Sequence, residues 1–281
     1  MKILKVLPIF LSGVLLMLSL SFYFDWKFEE EVLNNLSKNI KLNSPHNLDS
    51  LIIHAMNTAN YLECRNTEIF GSYKFQSFKV NLISPSFAAL DYGGGDCGSY
   101  TLFLARLLKK MGFRTKIVGV FRNKSLVGHI TLGIERDNKL LLIDPLYNHA
   151  FTDSLGHLSD IHEVAANWST YYSKHLPTNY KSEYNYQSGW RYTNWDKYGL
   201  LSHSVYNLGS LFVGKSKMNN LSIRYYLLGL DKFYSLFAFS GFLFFIGLFF
   251  GFNKRKSAIV NKLKDPIIMY RRKMRDHIRF N

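Results

Sequence analysis

Two long stretches without a charged residue constrain the fold of this chain more than any other feature. The first comprises the nineteen residues from Val6 to Phe24, and the second the twenty residues from Phe233 to Phe252. A helix of about twenty apolar residues spans the hydrocarbon core of a bilayer. The sequence therefore predicts an N-terminal transmembrane anchor over residues 1–24 and a second transmembrane helix over residues 233–252.

The charges outside these runs predict the orientation of the chain. Residues 253–281 carry ten Lys or Arg and two Asp, and the N-terminus carries Lys2 and Lys5. Basic segments beside a span stay in the cytoplasm. We therefore expect a cell-membrane protein with both termini cytoplasmic and residues 25–232 outside the cytoplasm. A cleaved signal peptide is the alternative for the first run, although no small-x-small cleavage site follows it.

The net charge of +15 does not indicate nucleic-acid binding. The tail over 253–281 contributes 10 − 2 = +8 of this excess, which membrane topology and anionic lipid explain. No recognised nucleic-acid motif accompanies the tail. The bilayer is thus an expected partner, nucleic acid is not, and the oligomeric state stays open.

A glycine-rich run, Gly93-Gly94-Gly95, leads into Asp96-Cys97 and then into a segment of helical periodicity. Asp96 suits an N-cap and Gly112 a C-terminal stop. Cys97 then lies in the first turn, where the helix dipole and free backbone amides stabilise a thiolate. The residues that recur at spacings of three and four along one face are Cys97, Tyr100, Leu104, Leu107, Leu108 and Met111.

Three strands are predicted after this helix, over Arg114–Phe121, Val127–Glu135 and Lys139–Ile143. A hairpin centred near Asp137 places position 145 opposite His129, so that Asp144 faces the histidine to within a residue or two. A cysteine nucleophile requires a base and a carboxylate that orients it. Cys97, His129 and Asp144 are therefore the candidate catalytic residues.

Other interpretations stay open for each position. Cys97 could form a disulfide with Cys64, the only other cysteine, as extracytoplasmic domains often do. No histidine spacing such as His-Glu-x-x-His indicates a metal site, and no metal or cofactor is expected. The alternative bases are His149 and His157, and the alternative orienting residues are Asn148 and Asp153.

The motifs in this order resemble the core of the transglutaminase-like superfamily, a group of papain-like cysteine enzymes. The resemblance covers about residues 50–150. It implies an α+β fold, with the cysteine-bearing helix packed on an antiparallel sheet, here flanked by two transmembrane helices. The matching segments are Gly95-Asp96-Cys97-Gly98-Ser99, the helix end with Gly112-Phe113-Arg114, Gly128-His129, and Leu142-Ile143-Asp144-Pro145.

By this resemblance Cys97 is the nucleophile, His129 the general base and acid, and Asp144 the orienting carboxylate. The implied chemistry proceeds through an acyl-enzyme, by hydrolysis of amide or peptide bonds or by acyl transfer. Gly98-Ser99 stand where acidic residues often follow the cysteine, which argues against calcium dependence, and Thr131 replaces an aromatic residue. We expect a protein or peptide substrate in the cell envelope. The alternative is a catalytically silent module that binds an envelope partner or serves an envelope or secretion system.

Three further expectations concern the rest of the domain. The backbone amide of Cys97 would supply one oxyanion-hole donor, with Tyr92, Gln76 and Asn81 as candidates for the second. The extension over 151–232 is rich in Trp and Tyr, which pack the domain, lie at the membrane interface or line a substrate groove. A short amphipathic helix over Trp26–Leu36 with a connector, and a helix capped by Asn47 or Asp49, are expected before the core.

Overall fold

The computed structural model describes residues 3–44, 47–70, 97–122, 126–178, 180, 184–195, 199–226, 228, 230 and 232–251. The chain divides into two compact units, one formed by Met1–Trp26 with Asp231–Asn281 and the other by Lys27–Leu230. Along the chain the elements are α1 (Ile3–Asn43), α2 (Leu48–Phe70), α3 (Cys97–Lys110), β1 (Arg114–Arg122), β2 (Leu126–Arg136), β3 (Lys139–Asp144), β4 (His149–Ala150), α4 (Ile161–Ala166), β5 (Trp190–Arg191), α5 (Gly199–Val213), α6 (Lys215–Asn219), α7 (Ile223–Tyr226) and α8 (Lys232–Gly251).

Both apolar runs form helices long and apolar enough to cross a membrane, as the sequence predicted. Within their unit, Ser19 and Ser235 each donate a side-chain hydrogen bond to the other's carbonyl, both at 3.0 Å. A methyl group on Gly241 would lie 3.1 Å from Leu15 Cδ1, so the helices approach closely there. The pairs 15–241 and 19–235 run in opposite directions, so α8 is antiparallel to the first part of α1. Small residues and interhelical hydrogen bonds are typical of helix pairs in lipid.

The predicted short helix over Trp26–Leu36 and its connector are wrong, because α1 continues without a break to Asn43. Leu33 and Ile40 are buried and Leu36 is partly buried, all in the core of the second unit. Their spacing of three and four residues gives this part of α1 an apolar stripe, and burial of that stripe favours the helix over a connector.

The second unit is built on a five-stranded antiparallel sheet in the order β4-β3-β2-β1-β5. The predicted hairpin between β2 and β3 is confirmed, with Leu132 opposite Ile143 and Arg136 opposite Lys139. Asp137 and Asn138 both have positive φ, at 50° and 61°. Two such residues form the type I′ turn that suits a two-residue hairpin. The α+β class with an antiparallel sheet is thus confirmed.

Helices α2 and α3 cover one face of this sheet. Phe103 and Leu107 of α3 are fully buried in a cluster with Leu132 of β2 and Ile52 of α2. Helix α3 ends as predicted at Gly112, whose φ of +97° suits glycine. The Phe113 amide donates to the Leu108 carbonyl and the Gly112 amide to that of Lys109, the two bonds of a Schellman motif.

Of the two residues predicted as the N-cap of α2, Asn47 and Asp49, the structure has Asn47 in this role. The Asn47 side chain accepts from the Asp49 amide at 2.9 Å and so caps α2. Asp49 instead accepts from the Leu158 amide at 3.0 Å and pairs with Arg136, which ties α2 to the end of β2. The predicted N-cap of α3, Asp96, lies outside the residues described.

The aromatic extension covers the opposite face of the sheet. Val118, Val120 and Leu142 are buried there against the side chains of the extension. The aromatic residues in this second cluster are Phe151, Trp168, Tyr172, Tyr180, Tyr184 and Tyr186. Of the roles considered for this segment, packing of the domain is the one these residues have.

Gly133 in β2 provides a test of this packing. A Cβ atom at this position would lie 2.6 Å from Leu140 Cγ, so we expect Gly133→Ala to destabilise the fold by about 1–3 kcal/mol. Equilibrium denaturation of the full chain in detergent measures the loss. Leu140→Ala in the same chain removes the clash, so the double variant should lose less than the sum of the single variants. Additive losses would contradict the proposed contact.

Candidate functional site

His129 and Asp144 are joined by a short hydrogen bond in the interior of the second unit. The His129 Nε2 and Asp144 Oδ2 atoms are 2.5 Å apart, and the two side chains are 1% and 0% exposed. The hairpin register creates this proximity, because β2 and β3 pair from Arg136–Lys139 to Leu132–Ile143 and bring both residues toward the same end of the sheet. The sequence-based pairing of these two residues agrees with this geometry.

Cys97 completes the cluster from the first residue of α3. Its thiol is free, so the alternative of a disulfide with Cys64 does not apply, and it lies close enough to His129 to help raise the pKa of the imidazole. Because Asp144 occupies Nε2 of the imidazole, Nδ1 is the nitrogen left for the thiol. Thr101, one turn further along α3, donates to the Ile130 carbonyl at 3.1 Å and thereby fixes the start of the helix beside His129.

The electrostatics of the cluster favour a protonated imidazole. Burial opposes the charge on His129, but the hydrogen bonds and negative charges of Asp144 and Cys97 outweigh it and raise the pKa of His129 from 6.5 to about 9. An imidazolium beside a cysteine is the arrangement by which cysteine nucleophiles are activated.

Three tyrosine rings enclose the imidazole. The ring of Tyr184 stacks on His129 with centroids 4.5 Å apart, and those of Tyr180 and Tyr147 meet it edge-on at 5.8 and 5.7 Å. Aromatic faces attract a cation, so the stacked ring also supports the imidazolium. The enclosure fixes the ring plane and keeps bulk water from the His129–Asp144 bond.

The Asp144 carboxylate has further neighbours besides His129. Its Oδ1 accepts from the Tyr147 amide at 3.3 Å, and its charge acts on the buried Tyr180 hydroxyl. Burial and the charge of Asp144 raise the pKa of Tyr180 well above 10, so this hydroxyl stays protonated. The Tyr180 and Tyr186 hydroxyls are hydrogen-bonded to each other at 2.9 Å. Asn60 of α2 donates to the carbonyl of Pro145 at 2.9 Å and so holds the turn after Asp144.

The alternative residues lie elsewhere. His149 lies opposite Asp144 in β4, but its ring packs on Phe151 and burial lowers its pKa, which keeps it neutral. His157 is 63% exposed and lies 3.6 Å from Asp153, whose carboxylate accepts from two amides of its own loop. Asn148 occupies a turn with φ of +48°. The oxyanion-hole candidates Tyr92, Gln76 and Asn81, and the side chain of Cys64, lie outside what the structure describes.

Sequence reasoning did not assign Tyr147, Tyr180, Tyr184 or Tyr186 to the site. The available signal was the density of tyrosines after Asp144-Pro145, which indicates an aromatic cluster but not what it covers. Substitution of one of these tyrosines therefore tests whether it contributes to the reactivity of the site.

Tyr180→Phe should slow alkylation of Cys97 by iodoacetamide about tenfold at pH 7, because it removes a buried hydroxyl on which the Asp144 charge acts. It should also cost about 1–3 kcal/mol of stability, because Tyr186 loses its hydrogen-bond partner. The matched control is Tyr172→Phe, which removes the hydroxyl that donates to Ser159 at 2.7 Å and is buried but distant from the imidazole contacts. The control should lose stability but leave the alkylation rate unchanged. Equal rates in the two variants would mean that Tyr180 only packs the core.

Comparisons with protein-family models, with curated proteins and with solved structures find nothing that matches the chain.

Proposed function

We propose that this chain is a membrane-anchored, transglutaminase-like cysteine enzyme that acts on amide or peptide bonds through Cys97, His129 and Asp144. The observation that carries the proposal is the buried His129, hydrogen-bonded to Asp144 and close to the free thiol of Cys97, with its pKa raised to about 9. A carboxylate that orients a histidine beside a free thiol is the arrangement that activates a cysteine nucleophile.

The proposed reaction has two steps. The Cys97 thiolate attacks the carbonyl carbon, the carbon–sulfur bond forms, and the charge moves to the carbonyl oxygen. When the carbonyl re-forms, the bond to the leaving amine breaks and the His129 imidazolium gives the amine its proton. Water or a second amine then attacks the thioester, His129 takes the proton, and the thiolate is released. Asp144 orients the imidazole and stabilises its charge in both steps.

The two apolar helices and the basic tail support a location for this chemistry. Because α8 runs antiparallel to the first part of α1, a bilayer that contains both would hold residues 27–230 on one side. The ten basic residues of 253–281 favour the cytoplasm for the tail, which leaves the enzyme domain outside the cytoplasm. Proteins and peptides of the cell envelope are then the substrates within reach.

Acylation by an activated ester tests the proposed function. The full chain, in nanodiscs and carrying Cys64→Ser, should release about one equivalent of p-nitrophenol from p-nitrophenyl acetate in a burst, with one acetyl group on Cys97 by mass spectrometry. Cys97→Ser should abolish the burst and His129→Gln should slow it, whereas His157→Gln, at an exposed histidine, should not change it. Faster turnover on addition of glycine methyl ester would indicate acyl transfer rather than hydrolysis. A wild-type chain that is acetylated only on lysines would contradict the proposal.

A catalytically silent binding module is the second candidate, favoured by the burial of His129 under Tyr184. If the tyrosine rings around His129 never move apart to admit a substrate carbonyl group, the cluster stabilises the fold but does not catalyse a reaction. In that case Cys97 would remain unacylated even by p-nitrophenyl acetate, while removal of Asp144 would still destabilise the chain.

A further inference from the structure

Helix α5 exposes several large apolar side chains that a helix packed on a core would normally bury. Leu200 is 88% exposed, Leu211 82% and Phe212 82%, alongside three exposed polar residues, His203, Ser204 and Asn207. Leu208 is 60% exposed and Val205 48% exposed. At 3.6 residues per turn these five side chains share an arc of about 140°, which we name the α5 apolar face.

The contacts of α5 with the protein include those of Ser202, Tyr206 and Gly209. Ser202 is buried and donates to the carbonyls of Trp195 and Gly199. The Tyr206 hydroxyl donates to Asn219 Oδ1 at 2.9 Å, and Gly209 lies directly against the Met218 side chain. The orientation of α5 is therefore fixed by packing, and its exposed face is not the result of a loosely attached helix.

The surrounding charges match an anionic surface. No Asp or Glu occurs from Gly199 to Leu230, whereas Lys215 and Lys217 are exposed directly after α5 and Arg224 follows. Helices that lie in the interfacial plane of a bilayer combine a wide apolar face with nearby Lys and Arg. The candidate span α8 begins at Lys232, a short segment further along the chain, so α5 is tethered to the same bilayer.

We propose that the α5 apolar face inserts into the outer boundary between lipid headgroups and acyl chains, as a third membrane contact besides the two spans. The proposal rests on the membrane insertion of the chain given under the proposed function. Insertion of these five large side chains would attach the domain to the bilayer at a point other than the two spans at its ends. The domain, and the Cys97 site in it, then keep one orientation toward substrates at the membrane surface.

Site-specific fluorescence with lipid quenching tests this contact. In a chain with Cys64→Ser and Cys97→Ser, NBD is attached at Leu211→Cys. The matched control is His203→Cys, an exposed position about 130° around α5 from the centre of the apolar face. Phe244→Cys in α8 reports whether the chain is inserted at all. The chain is placed in phosphatidylcholine–phosphatidylglycerol nanodiscs at one chain per disc, with spin-labelled lipids that carry the quencher near the top of the acyl chain.

The label at 211 should have blue-shifted emission and at least twofold stronger quenching by the spin-labelled lipid than the label at 203. Equal, weak quenching at 211 and 203 with a quenched label at 244 would overturn the α5 contact while leaving the spans intact. A blue-shifted but unquenched label at 211 would show that protein covers the face, which also overturns it. An unquenched label at 244 would overturn membrane insertion and the α5 contact together, whereas the acetylation of Cys97 is measured separately.

Discussion

Asp144→Ala is expected to slow acetylation of Cys97 by about 10³–10⁴-fold. Without the carboxylate, His129 loses the acceptor at Nε2 that fixes its tautomer and ring plane, at present 2.5 Å away. Burial then opposes the imidazolium with only Cys97 left to favour it, so the pKa of His129 falls and the pairing of imidazolium with thiolate is weakened. The rate of p-nitrophenol release in the first turnover measures the effect.

Two further variants separate the charge from the geometry. Asp144→Asn keeps an oxygen that accepts from His129 but removes the negative charge, so its rate should lie between those of wild type and Asp144→Ala. Asp153→Ala removes a carboxylate of an exposed loop and should leave the rate unchanged. Equal rates for wild type and Asp144→Ala would show that the histidine works without an orienting carboxylate.

The same interaction predicts how stability depends on pH. Because the pKa of His129 is raised from 6.5 to about 9, its protonation stabilises the folded state fully below about pH 6.5. This contribution, on the order of 3 kcal/mol, is lost as the pH rises through about 9. Thermal unfolding in detergent, followed by tryptophan fluorescence, should show a wild-type Tm that falls between pH 6.5 and 9, and Asp144→Ala should lack this fall. Parallel curves for the two proteins would contradict the raised pKa.

Arg106→Met is expected to destabilise the fold by about 3–5 kcal/mol without touching the candidate site. Arg106 of α3 is 4% exposed and its Nη1 lies 2.5 Å from Oε2 of Glu29, which is 5% exposed in α1. The substitution leaves the Glu29 carboxylate buried without its main countercharge. Equilibrium denaturation of the full chain in detergent gives the loss.

The control pair lies one turn further along α3. Lys110 pairs with Glu30 and both are about a third exposed, so Lys110→Met should cost less than about 1 kcal/mol. The double variant Glu29→Leu with Arg106→Met replaces both charges by apolar groups and should be more stable than Arg106→Met alone. If the double variant were the less stable of the two, the buried pair would not be what links α1 to α3.

Local pattern predicted the parts of the fold that depend on neighbours in sequence. The period of α3, its stop at Gly112 and the hairpin at Asp137 follow from spacing and turn chemistry, and the hairpin in turn places Asp144 beside His129. The length of α1 was missed, because its continuation past Trp26 depends on Leu33 and Ile40 reaching a core formed by distant residues. Burial of those residues is a tertiary property that no local pattern contains.

The aromatic enclosure was missed for a similar reason. Tyr180 and Tyr184 come more than thirty residues after Asp144 along the chain, and their contacts with His129 arise only when the extension folds over the sheet. Sequence spacing predicts which residues share one strand or helix face, but not which loop covers that face. The α5 apolar face can likewise be assigned only once the contacts of Ser202 and Tyr206 show which side of the helix packs against the protein.

The pH dependence of Cys97 alkylation by iodoacetamide tests the central claim most directly. The full chain with Cys64→Ser is compared with the same chain carrying His129→Gln or, as control, His157→Gln. The account predicts rapid alkylation of the parent and control chains from below pH 7, and slow alkylation of His129→Gln that rises only near the ordinary thiol titration at about pH 8.5. Identical profiles in all three chains would contradict a thiolate held by His129, and with it the proposed enzyme.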